Sequence, residues 1–212
     1  PDITIRNIKK YLNKDVKIII MLRNPVERAF AGYLHNVRYN TSESLSFEEA
    51  IEKSEERYQK TNDMTPDTRY LHVGMYYNQV KKYMDEFGKN VHVVIYDDYV
   101  SNINGSIKRV FDFLKVNNIE IDTSQRHMVG GWIFKNPILR KLMVSKNELK
   151  SFVKLLLTSS ILRKKIRTII MRFGTSKTPE LTPKTRKFLE DYYKDDIVKL
   201  ENLIAKDLNW NK

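Results

Sequence analysis

Two short apolar runs rich in β-branched residues interrupt an otherwise helical pattern of hydrophobic and polar positions. Val16 to Leu22 and Val91 to Tyr96 each read as a strand buried on both faces. Before the first run, Ile5, Ile8 and Leu12 recur at helical spacing, which predicts a short amphipathic helix over 3–13. The run stops at Arg23. Asn24 then suits a helix N-cap, Pro25 its first turn and Glu27 the return position of a capping box. Phe30, Tyr33, Leu34 and Val37 form the buried stripe of that helix, and core packing is the simplest role for them.

Further along, Ser46 caps a helix through Phe47, Ala50 and Ile51, with Glu48 and Glu49 complementing its dipole. Residues 52–67 are polar without a period and read as a surface loop or frayed helix. Tyr77, Val80, Tyr83, Met84 and Phe87 line a helix that Gly88 ends. Ile107, Val110, Phe111 and Leu114 line another, opened by Ser101 or Asn102. Residues 123–134 are irregular, Pro137 begins a helix, and a basic amphipathic section runs over 146–173. Thr182 and Pro183 open the last helix, whose expected buried side is Phe188, Leu189, Tyr192, Ile197, Leu200 and Leu203. Helix then strand, twice over, is the pattern of a parallel sheet with crossover helices. Without repeats or a low-complexity linker, residues 1–212 read as one α/β domain.

Composition narrows the chemistry. The chain has no cysteine, which excludes disulfides, thiolate metal sites and a cysteine nucleophile, and leans toward a cytoplasmic setting. Its 38 Lys+Arg against 26 Asp+Glu leave a net charge of +12, which draws phosphorylated or sulfated partners, nucleic acid or an anionic membrane surface. The four histidines, His35, His72, His92 and His127, lack metal-ligand spacing, and no metal is expected. His92 reads as packed within its strand and His35 as a surface residue. The best apolar run, 152–162, carries Lys154 and is too short to span a bilayer. The chain opens on Pro1 without a leader pattern, so it reads as an internal piece of a longer protein.

The junction after the first strand carries the sharpest chemistry. Ligands of open α/β sheets bind beyond the carboxyl ends of strands, a helix N-terminus attracts anions, and a guanidinium grips phosphate with paired hydrogen bonds. Arg23 stands at that point, although there is no Gly-rich phosphate loop in the chain. Arg23, Pro25, Arg28, Ala29 and Tyr33 fall at the positions of the 3′-phosphate motif of sulfotransferases that use 3′-phosphoadenosine 5′-phosphosulfate (PAPS), and the stretch resembles it. Leu71-x-x-Gly74-x-Tyr76, Val91 to Asp98, Val110 to Leu114 and the close from Leu181-Thr182-Pro183 to Trp210 resemble later family segments in order, most like the heparan-sulfate and bacterial branch.

The resemblance implies a P-loop-NTPase-like parallel sheet flanked by helices, incomplete at its N-terminus and helix-rich in its C-terminal half. It implies sulfonyl transfer from PAPS to a hydroxyl or amine, on an anionic carbohydrate acceptor, with no metal and no nucleic acid partner. Arg23 would pair with the 3′-phosphate and Arg28 would touch phosphate or brace the loop by a salt bridge. Arg126 joins the cofactor residues, and Gly74 and Tyr76 the substrate side. Ala31 stands where the family has a serine, so a hydroxyl donor is lost. The family's 5′-phosphosulfate loop, and in many members its base, lie upstream of this strand, and residues 1–16 do not supply the loop. On this reading the chain alone lacks the reaction centre. The rivals are a non-catalytic nucleotide- or glycan-binding relative and a basic protein that binds polyanions or a membrane surface peripherally.

Overall fold

The computed structural model describes residues 1–12, 15–39, 43–60, 68–124, 130–144 and 159–210. In chain order the elements are α1 (Asp2–Tyr11), β1 (Ile18–Leu22), α2 (Pro25–Tyr39), α3 (Phe47–Glu52), α4 (Ser54–Lys60), a 3₁₀ turn (His72–Gly74), α5 (Tyr77–Phe87) and β2 (Val91–Ile95). They continue as α6 (Tyr96–Ser101), α7 (Ile103–Leu114), β3 (Trp132–Phe134), α8 (Pro137–Val144), α9 (Ser160–Gly174), β4 (Thr175–Lys177) and α10 (Pro183–Ile204). They form two compact units, one of residues 1–28, 72–127 and 183–212, the other of 29–71 and 128–182.

In the first unit β1 and β2 pair in parallel, Ile18 opposite Val91 through to Leu22 opposite Ile95. Gly88 turns the chain from α5 toward β2 with φ +50°, a conformation that costs glycine little. The expected burial on both faces fails for β1, where Ile19 is 42% and Met21 51% exposed. Among the described strands β1 is paired only with β2, and its alternate residues Ile19 and Met21 face outward. His92 stacks on Phe113 at 5.0 Å, and Lys17 Nζ lies 5.1 Å from the same ring. Burial lowers the His92 pKa, with Arg109 adding to it, in keeping with a packed residue. Asn102 caps α7 by accepting from Gly105 N at 2.8 Å.

The last helix departs from its expected face at Phe188 and Tyr192. Thr185, Leu189, Tyr193, Asp196, Ile197 and Leu200 are buried, whereas Phe188 and Tyr192 pair at the surface. Phe188 and Tyr192 also have helical spacing, so the periodicity alone favoured the wrong aromatic pair. The residue in the core is Tyr193, which fits against a glycine described below.

The second unit is built on rings. Phe47 lies 5.0 Å from Phe30 and 5.2 Å from Tyr33, and Tyr70 lies 6.0 Å from Tyr33. Ser46 and Glu49 complete the capping box of α3. The stretch after Glu52 holds a real helix, α4, while 61–67 lie outside the described residues. The segment expected to be irregular contributes β3, which pairs antiparallel with β4, Trp132 opposite Lys177. Of the basic section over 146–173, residues from Ser159 onward are described.

Beneath the rings lies Glu43, a carboxylate 1% exposed. Arg57 holds it with two bonds, at 2.8 and 3.2 Å, and the Tyr70 hydroxyl donates to it at 2.8 Å. Burial pushes its pKa up, but these donors and the Leu45 N–H more than offset that and hold it below the ordinary glutamate value. A depressed carboxylate stabilises the fold above its ordinary pKa, and that contribution disappears as pH falls through the lowered value. Arg57→Gln is expected to cost about 3 kcal/mol at neutral pH and to move the acid unfolding midpoint upward, read by circular dichroism during acid titration. An unchanged midpoint would show that the pair does not govern acid stability.

Candidate nucleotide-binding site

The parallel register ends both strands of the first unit together, so Arg23 and Tyr96 emerge side by side. The Arg23 guanidinium sits 5.0 Å from the Tyr96 ring centre. Its backbone carbonyl accepts from the Tyr76 hydroxyl at 3.0 Å. Burial pushes the Tyr76 phenol up to about 12, with Arg28 and the bond to Arg23 pulling the other way, so it stays a donor at neutral pH. Arg23 Nη2 stands 4.0 Å from Glu27, which is held at 2.8 Å by Arg186. The Arg23 side chain is 37% exposed and opens on a groove of about 490 Å³ lined by β1, Arg28, Tyr76 and Gln79.

Asn24 accepts from Val26 N at 2.9 Å and Glu27 N at 3.4 Å. Glu27 spends its carboxylate on arginines, so only half of the expected capping box forms. Arg28 N bonds Asn24 O. The first N–H groups of α2 are therefore already satisfied, and an anion here would meet side chains rather than open backbone donors. Arg28 has no ion pair among the described residues. The brace expected of Arg28 is made instead by Arg186 on Glu27.

Two groups from the C-terminal part support the loop. The Trp210 carbonyl accepts from Asn24 Nδ2 at 3.4 Å, its indole N–H donates to Asp97 at 3.1 Å, and its ring meets Tyr76 edge-on at 6.2 Å. Asp196 accepts from Tyr76 N at 2.7 Å and Tyr77 N at 3.1 Å, capping α5 from another helix. Burial raises the Asp196 pKa, and those two bonds pull it partly back.

Of the residues singled out in the sequence, Arg23, Arg28 and Tyr76 line one groove. Gly74 is buried and faces Tyr193, a packing position. Ala31 is half-buried on the second turn of α2, in the second unit, with only a methyl group to offer. Arg126 lies outside the described residues. Asp196 and Arg186 have no motif that marks them. Tyr96 was open to inference from the matched strand ends. Among the described residues no group of three or more His, Asp or Glu is placed to hold a metal ion, and no helix is long and apolar enough to cross a membrane.

A family model for the sulfotransferase domain matches residues 4–203. The chain belongs to the sulfotransferase family. A crystal structure of a sulfotransferase from Alicyclobacillus acidocaldarius aligns with a TM-score of 0.65 and 27% identity, over 99% of this chain and 62% of that one. No curated protein matches the sequence. The parallel pair flanked by helices thus sits in a sulfotransferase fold, and sulfonyl transfer is the chemistry of the family. In this sulfotransferase domain the junction after β1 combines two arginines, a helix start and a groove.

Proposed function

We propose that this domain binds the 3′-phosphate end of PAPS through Arg23 and Arg28 and serves transfer of the sulfonyl group to a hydroxyl or amine on a carbohydrate. The observation that carries the reading is Arg23, a half-exposed guanidinium fixed at the carboxyl end of β1 and facing a groove. The donor set suits the ligand. Two guanidinium groups complement a phosphate, Tyr76 and Tyr96 hold the Arg23 backbone and side chain, and Arg186 draws Glu27 toward itself. When bound, PAPS would supply the activated sulfonyl group, with adenosine 3′,5′-bisphosphate as the leaving group. In-line transfer also needs a base for the acceptor proton and positive charge on the leaving phosphate. Arg23 and Arg28 act at the cofactor's far end, so their work is to anchor and orient it.

Arg23→Gln removes charge-assisted hydrogen bonds worth about 1.5–3 kcal/mol, so adenosine 3′,5′-bisphosphate should bind roughly ten- to a hundredfold more weakly by calorimetry. Unchanged affinity would refute the assignment. A nucleotide-binding relative without transfer activity is the second reading, which Ala31 favours. An assay for bisphosphate release from PAPS with glycan acceptors, run on a protein that also carries the family's 5′-phosphosulfate loop, separates the two.

A further inference from the structure

The basic helix α9 takes no part in this proposed chemistry, and its outward face has an unusual composition. Ile161 is 67% exposed, Leu162 44%, Ile169 57% and Phe173 69%. Leu162, Ile169 and Phe173 are spaced by seven and four residues, so they share one face. Lys165 and Arg172, also seven apart, border that stripe. The Arg172 guanidinium lies 5.7 Å from the Phe173 ring centre. Neither α9 nor α8 contains an acidic residue. The two helices touch where Leu139 meets Gly174, and α8 adds exposed Ile138 and Leu142, four residues apart.

We propose that α9, with α8 beside it, docks the protein on the surface of an anionic phospholipid membrane. The two halves of the composition point to one partner. Basic side chains alone would suit any polyanion, such as a sulfated glycan or nucleic acid, but a polyanion gains nothing from exposed isoleucine, leucine and phenylalanine. A bilayer interface takes both, accepting the apolar stripe at the acyl boundary while its anionic headgroups meet the lysines and arginines. A second copy of the same helix would bring like charges together along the stripe.

The test is flotation of the full chain with vesicles of phosphatidylcholine alone and with about one-third phosphatidylglycerol added. The protein is expected to float with the anionic vesicles and to partition at least about tenfold less to neutral ones. The double variants Ile169→Asp/Phe173→Asp and Lys165→Glu/Arg172→Glu should each lower anionic partitioning by at least about tenfold. These side chains are exposed, and thermal melting verifies that both variants remain folded. If the apolar double variant binds like wild type, the contact is purely electrostatic and the proposal is overturned. Equal binding to both vesicle types, or to neither, overturns it as well. A dimer in sedimentation velocity that the apolar variant dissociates would assign the face to a second copy and overturn it too. Nucleotide affinity should be unchanged in both variants, so this result stands apart from that of the Arg23 assignment.

Discussion

Trp210→Ala is expected to lower stability by about 3–5 kcal/mol and to abolish measurable binding of adenosine 3′,5′-bisphosphate. The indole is 6% exposed, packs edge-on against Tyr76 and bonds Asp97, while the residue's carbonyl holds Asn24. Its removal leaves a cavity beside Tyr76 and strips Asp97 of a donor. Tyr76 in turn orients the Arg23 carbonyl, so the Arg23 loop loses its support along with the core. Trp210→Phe separates the two effects. It keeps most of the packing and loses one hydrogen bond, a cost of about 1 kcal/mol, and should retain nucleotide binding. Chemical denaturation and calorimetry on both variants provide the check. If Trp210→Ala preserves affinity, the loop does not depend on this support.

Gly74→Ala should destabilise the protein by about 1–3 kcal/mol despite adding a single methyl group. A Cβ at this position would fall 2.6 Å from the Tyr193 hydroxyl oxygen and 2.7 and 2.8 Å from its ring carbons. Tyr193 is fully buried on α10, so it has no open side toward which to move. Its phenol is pushed up by burial, so it remains protonated through the physiological range. Tyr193→Phe opens a small space and should partly rescue Gly74→Ala in a double-mutant cycle, whereas additive losses would show that the two sites do not meet.

Arg23 and its neighbours were legible because a β-branched run, a polar cap and a proline mark a strand end and helix start by local chemistry. The fold class followed from the same runs. What depended on partners distant in sequence was harder to read. Ile19 and Met21 belong to an apolar run, but whether its outward face is covered depends on packing partners that the run itself does not encode. Phe188 and Tyr192 matched the helical period as well as Tyr193, and only the space left by Gly74 chooses between them. Asp196 looks like one more charge on a polar helix until α5 is brought against it. The β3–β4 pair joins short segments separated by α8, 145–158 and α9, too little strand for a periodic signal. Tyr96 was closer to hand, since strands that end in register place their following residues together.

The bond from Asn24 to Trp210 spans 186 positions of sequence, and that separation orders events during synthesis. A nascent chain can form the aromatic cluster of the second unit as soon as Tyr70 has been made, because those contacts are comparatively local. The Arg23 loop must wait for α10 and then for Trp210. Ribosome-bound chains halted before residue 210 should therefore hold a folded aromatic cluster while the Arg23 loop is still unsupported.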